Sequence, residues 1–438
     1  AELTQEWLAA NPKAAWWDAM DTGPFISDTF LGFGPKGEVA VLKGIAIKLG
    51  DKEDCSVVFD TETLRMVAGF DGVVKMAGTP WSGRHADNSY LPGNRKDYFF
   101  ATNKGPGIAV NGKWEDPRKT KNGPLPDEQA EYLGIYRHEA GAVLSYTAGG
   151  SNILEMPWSL GGGLVRSFRF EKMKNKVEIL VLDPLEDGRK IAVQLRGARK
   201  GVFLETLDSG RLVVSLAKGT EGSFDLVYAP EGVEVPVVKR ASIKSFIKGG
   251  PSLFPETVEV KGRVSDTKVG YVVDDIPLPK DNPWESNIRF GGYDFFPDGK
   301  RVACSTWNGD VWIASGIDGD LSKITWRRFA SGLYQTLGLK IVNGVIFTHG
   351  RDQLTRLHDL NGDGEADFYE CFNNDVLITP GFHEFAFDLQ TDKEGNFYFS
   401  KGAPVMSGGR GFTELTEHNG TILRVSADGK ELKKLAWG

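Results

Sequence analysis

A strand–turn–strand unit recurs in the last third of the chain, and it constrains the fold more than any other feature. Tyr293–Thr306 reads as two short strands around an Asp-Gly turn, and Asn308–Ala314 follows as a third strand. Ala386–Ser400 repeats the pattern, and Asn419–Leu435 adds two further strands. A weaker copy lies between, at Leu337–Thr348 and Gln353–Leu357. Groups of four short strands at a period of roughly 40–50 residues predict β-propeller blades. Residues 285–438 hold about three such blades. Three blades do not close a ring, and an open propeller exposes strand edges and core surface. The pattern therefore implies that the ring is completed by the remainder of the same polypeptide or by a second chain.

The region before it is also β-rich. Val39–Leu49, Cys55–Phe59, Tyr132–Tyr136, Ala142–Tyr146, Leu164–Phe170, Val177–Leu182, Ile191–Leu195 and Arg211–Leu216 are short apolar or alternating runs between turn residues. Such spacing predicts an antiparallel β-sandwich-like domain. Residues 3–20 read as a short helix stopped near Pro12, and 84–130 as a long polar loop ordered by interleaved aromatic residues. Repeated proline between 248 and 284 forbids regular helix and central strand there. The expected organisation is a sandwich-like domain over 1–250, a linker over 251–284 and a partial propeller over 285–438. The fold class is mainly β.

Composition excludes some functions. The net charge of −7 argues against broad nucleic-acid binding. No run of 18 apolar residues is present, so no membrane-spanning helix is expected. Ala1 stands where an initiator Met would, which fits removal of a signal peptide and predicts export to the periplasm or cell surface. Cys55, Cys304 and Cys371 are far apart and form no CxxC motif.

One motif points to a metal. Asp359, Asn361, Asp363, Glu365, Asp367 and Glu370 match the spacing of a twelve-residue calcium loop, with Gly364 at the sharp turn. So many acidic side chains repel one another unless a cation sits among them, and Ca2+ is the expected ion. The flanks read as strand, so this is a calcium loop between propeller strands rather than an EF-hand. His349 and Arg351 fall at a strand end. Arg84, His85 and Asp87, and likewise Arg137, His138 and Glu139, are charged groups that could meet acidic or sugar ligands. Trp81, Tyr90 and Trp114 are the types used as sugar-stacking platforms.

Residues 285–438 resemble the sorbosone/glucose-dehydrogenase-like propellers, relatives of the soluble quinoprotein sugar dehydrogenases. The carriers are Gly291–Gly299, Asn308–Ile313, Gly350–Glu370 and His383–Phe387. The residues before about 250 resemble a domain of unknown function that precedes such propellers in large secreted bacterial proteins, on Met20–Phe25, Gly112–Arg118 and Tyr136–His138. The resemblance implies a sugar or aldose dehydrogenase-like protein, part of a larger redox protein, with pyrroloquinoline quinone as cofactor. It places His383 as the base that takes the sugar hydroxyl proton. This sequence departs from the dehydrogenase pattern after the second strand, where it has Lys401-Gly402-Ala403 in place of an aspartate. The alternative is a non-catalytic module that binds carbohydrate or takes part in cell-surface assembly. A polysaccharide-cleaving enzyme working through paired carboxylates is a third reading.

Overall fold

The computed structural model describes residues 19–32, 38–49, 55–74, 89–91, 98–184, 190–238, 241–267, 270–381, 383–404 and 415–437. The expected helix at 3–20 falls almost wholly outside these residues, as do Trp81, Arg84, His85, Asp87 and the side chain of Tyr90. The regular structure of the described residues is almost entirely β, arranged in several antiparallel sheets without a closed barrel among them. Among the described residues the one complete helical element is a 3-10 turn, Ile243–Ser245.

The first sheet contains β1 (Phe25–Leu31), β2 (Val39–Leu49), β3 (Cys55–Asp60), β4 (Arg65–Asp71), β5 (Ser89–Tyr90) and β6 (Tyr98–Ala101). Their order is β5-β1-β2-β3-β4-β6, and the β1–β5 pair is parallel. A four-stranded sheet joins β14 (Val202–Thr206), β15 (Leu212–Leu216), β12 (Val177–Leu182) and β7 (Ile108–Val110) in that order.

The last third of the chain folds into three consecutive four-stranded meanders. The first is β18 (Phe290–Phe295), β19 (Arg301–Thr306), β20 (Val311–Ser315) and β21 (Ile324–Ala330). The second is β22 (Gly338–Val342), β23 (Val345–His349), β24 (Leu354–His358) and β25 (Phe368–Asn373). The third is β26 (Ala386–Thr391), β27 (Phe397–Lys401), β28 (Thr421–Val425) and β29 (Leu432–Trp437). Local chemistry explains the turns. Asn343 and Gly344 both take positive φ, +52° and +80°, as a two-residue hairpin of matching twist requires. Gly299 and Gly429 do the same within Asp-Gly turns.

The first strands of the three meanders touch one another. Gly338 makes this approach feasible, since a Cβ there would lie 2.3 Å from the Asp388 carbonyl oxygen. The middle sheet is covered on both faces. Leu339, Ile346 and Leu357 pack with Ala303 and Phe329 of the first meander, within the main hydrophobic cluster. Phe347, Leu354 and Phe372 pack with Leu389, Phe397, Phe399 and Leu423 of the third.

The organisation differs from the sequence expectation at two places. The segment expected as a linker supplies β17 (Thr257–Val260), which pairs with β21, and buries Phe254 and Trp284 against Trp312 and Trp326. The boundary expected near residue 250 is spanned by a sheet. β8 (Ala130–His138), β9 (Gly141–Ala148), β10 (Ser151–Leu160), β11 (Gly163–Phe170), β16 (Gly222–Pro230) and β13 (Ile191–Arg196) form an antiparallel array. That array continues into the second meander through β8 and β25, giving ten strands in all. The seam is three pairs long: Phe368 with Tyr136, Tyr369 with Ile135, and Glu370 with Gly134. Gly134 sits at φ +136°, and a Cβ there would lie 2.3 Å from the Tyr369 carbonyl oxygen, so a side chain would push the seam apart.

Candidate functional site

Two buried charge clusters and one surface groove hold the chemistry of the described residues. The first cluster absorbs two of the six expected calcium ligands. The 359–367 loop joins β24 to β25, beside the seam. Arg137, on β8 and fully buried, donates to the Ala366 carbonyl at 2.8 Å. It also forms ion pairs with Glu365 at 3.0 Å and Asp367 at 3.3 Å. Glu365 accepts hydrogen bonds from Ser252 and the Phe254 amide, and Asp367 from the Gly250 and Leu360 amides. Burial raises both carboxyls above their ordinary range, and Arg137 offsets only part of this.

The other four ligands are held elsewhere. Asp359 accepts the Gly362 and Gly364 amides at 2.7 and 2.9 Å, which winds the loop tip. Asn361 donates to the Gly250 carbonyl at 2.6 Å, and Arg327 donates to the Asp363 carbonyl. Glu370 lies on β25, paired with Arg356 and His358 at 2.6 Å. Burial would raise its pKa, but the hydrogen bonds from His358 and Arg356 outweigh this and hold it low. Calcium needs six to eight converging oxygens. The six expected ligands instead divide among the tip, Arg137 and Arg356. Among the described residues no group of three or more His, Cys, Asp or Glu side chains is placed to hold a metal. Asp359 winds the tip through backbone amides, while arginines occupy the far half of the expected donor set.

The second cluster surrounds the turn before β26, where His383 lies. His383 takes φ +61°, a costly conformation for a residue with a side chain. Its neighbour Glu384 is fully buried and holds the turn. Glu384 accepts the Thr379 amide at 2.8 Å, the Thr379 hydroxyl at 2.6 Å and the Asn419 amide at 2.6 Å. It also pairs with Arg351 at 3.3 Å and Lys401 at 3.2 Å. Burial would raise Glu384, but Lys401 and Arg351 overcome it and keep the carboxylate ionised. Lys401 is pushed down to about 7 by burial, against the pull of Glu384. His349 is buried against the Phe399 ring, and desolvation, aided by Lys401 and Lys43, lowers it to about 3. Asp28 of β1 reaches the same region. Burial raises it to about 7, opposed by hydrogen bonds from Ser89 and the Thr29 amide and by the charge of Arg351.

A quinone cofactor bearing carboxylates needs cations that are free to meet it. Arg351 and Lys401 are both committed to Glu384, so the described residues around His383 do not fit that group as they stand. Arg351 was legible in the sequence as a charged strand end, whereas Glu384 and Lys401 were not. No local spacing announces that three residues 33 and 17 positions apart will meet in the interior.

Trp114 donates to Glu178 at 2.9 Å under the Arg211 guanidinium, and His138 packs edge-on against Phe246. No disulfide joins any of the three cysteines, and burial raises the Cys304 thiol to about 12.

Beyond the clusters, a groove crosses the solvent face of the ten-stranded sheet, formed by two cavities of about 490 and 730 Å3 that share Leu133, Tyr136 and Ser145. No helix among the described residues is long and apolar enough to cross a membrane. No curated protein matches this sequence. Residues 57–155, from β3 into β10, match the family model described as a domain of unknown function, DUF6797.

Proposed function

We propose that the chain is a non-catalytic binding and assembly module, built on three propeller-type blades and working in an exported complex of the periplasm or cell surface. The observation that carries this reading is the sheet face left open on the third meander. On the third meander, Phe387, Ser400, Ile422 and Ala436 form one cross-strand row, all exposed. On the first, the 251–284 segment covers the corresponding face around Trp312 and Trp326, and Tyr293 and Phe295 of the edge strand β18 stay 67% and 52% exposed. The middle sheet, by contrast, is covered on both sides. A face of this kind calls for another β-sheet, from the same polypeptide or from a second chain.

Denaturing and native mass of the protein from its source test the proposal. The expected result is a polypeptide longer than these 438 residues, or a co-purifying chain whose binding is lost in Ile422→Lys. Because Ile422 is surface-exposed, that substitution should change stability by less than about 0.5 kcal/mol. A lone monomer of 438 residues, unchanged by Ile422→Lys, would overturn the proposal.

A second reading rests on the left-handed backbone of His383, since strain of this kind collects at functional sites. In that reading the chain is a quinone-dependent aldose dehydrogenase and His383 takes the proton from the sugar hydroxyl. Dye reduction with aldoses, supported by the quinone and lost in His383→Ala, would favour it over the binding module.

A further inference from the structure

We propose that the groove across the ten-stranded sheet binds an extended, uncharged polysaccharide chain. The inference rests on the binding-module reading and assigns that module a ligand.

Its floor is a single row of paired residues, one from each strand. Ser223 of β16 pairs with Arg169 of β11, Arg169 with Leu154 of β10, and Leu154 with Ser145 of β9. Ser145 pairs with Gly134 of β8, Gly134 with Glu370 of β25, and Glu370 with Arg356 of β24. Paired residues project to the same face of a sheet. The row therefore runs perpendicular to seven strands, a path of about 29 Å at the usual strand separation. Its centre is low because Gly134 has no side chain and Ser145 is small.

The walls are also defined. At one end the 3-10 turn and the residues just after it, with Lys244 and Ile247, lie along the sheet face. At the other end the β28–β29 turn overhangs the floor. Asn373 holds it by donating to the Gly429 carbonyl at 3.0 Å, and Lys430 reaches Glu131 at 3.4 Å. Between them a bulge at Leu133 interrupts the β8–β9 ladder, and the β8–β25 pairing stops at Gly134. The two strands diverge from there and deepen the cleft.

The lining chooses the ligand. The two cavities together present five Lys or Arg and seven Asp or Glu side chains. That near balance gives a polyanion no net attraction, so nucleic acid and acidic polymers are poor occupants. The floor strands are interior to the sheet over most of the row, which offers a peptide little free backbone edge. Along the floor lie Ser223, Arg169 and the Ser145 hydroxyl toward one end and the Glu370–Arg356 ion pair toward the other, so donors and acceptors both line it. A polymer of hydroxyl groups, each both donor and acceptor, matches such a mixed lining. Tyr136 and Phe368, stacked 4.1 Å apart at the seam, supply the apolar contact beside it.

Affinity electrophoresis in gels containing glucomannan, xyloglucan or alginate tests the proposal, followed by calorimetry with oligosaccharides of two to six units. The expected result is retardation by at least one neutral polymer and none by alginate. Affinity should rise with chain length. The double variant Asn152→Ala/Arg169→Ala, at the β10–β11 end of the groove, should bind about tenfold more weakly, about 1.4 kcal/mol, and Arg356→Ala should weaken the opposite end. Hydrogen exchange on the parent protein gives an answer if either variant misfolds: bound polymer should slow exchange over 427–430 and 243–247. No retardation by any neutral polymer, retardation by alginate alone, or unchanged binding in well-folded variants would overturn the groove assignment. The mass experiment above is unaffected by that outcome, so the assembly reading stands or falls separately.

Discussion

The two buried clusters are opposites in charge. Around Arg137 one cation meets two carboxylates, Glu365 and Asp367. Around Glu384 one carboxylate meets two cations, Arg351 and Lys401. All six side chains are essentially inaccessible. In each cluster burial acts most visibly on the surplus partner. It raises the two acids at Arg137, and it drives Lys401 to about 7 beside Glu384. The minority charge in each is thus the residue that cannot be removed, while one surplus member is dispensable.

Removing the minority charge is the hardest blow to this comparison. Arg137→Met strands two carboxylates and Glu384→Gln strands two cations. Each should cost about 3–5 kcal/mol in urea unfolding. A loss below about 1 kcal/mol in either would mean that cluster is not held by its central ion.

The surplus lysine gives a pH signature of intermediate size. Lys401 has a folded-state value near 7 against 10.5 for an ordinary lysine. Between those values the unfolded chain binds the extra proton, so stability rises with pH across that window. The gain should be about 2–3 kcal/mol from pH 7 to 9. Lys401→Met should flatten this stretch of the curve and leave Glu384 paired with Arg351. An unchanged slope in the variant would assign the titration to another group.

Calcium is the mildest probe. Asp359, Asn361 and Asp363 at the loop tip offer an incomplete oxygen set, which corresponds to the weak range of about 10⁻³ M. Adding 10 mM calcium to EDTA-treated protein should then stabilise it by about 1.4 kcal/mol. No shift in melting temperature would leave the hairpin to its arginines alone.

How far the sequence spoke follows from the range of each interaction. The three meanders were legible because Asp298-Gly299, Asn343-Gly344 and Asp428-Gly429 fix their turns locally, between runs of alternating strand residues. The calcium spacing was legible to the extent that Asp359 winds the tip. What it could not disclose was that Arg137 would arrive from β8 and take Glu365 and Asp367. The sandwich-like strands were found where they are apolar, as at Val177–Leu182. β10 was missed: its sequence, Ser151–Leu160, carries Asn152, Glu155 and Pro157. The groove was invisible for the same reason as the seam, since a cross-strand row has no contiguous signature.

The seam also has a timetable. Arg137 reaches Asp367 across 230 positions of chain. At a synthesis rate of about 5–20 residues per second, that interval lasts on the order of 10–50 s. During it the β8 edge has been made, but its partner strand has not. A nascent chain of this protein therefore presents one open edge of β8, at Gly134–Tyr136, for longer than many small domains take to fold. Its ribosome-bound intermediates are where a chaperone, or a neighbouring nascent copy, would find an edge to take.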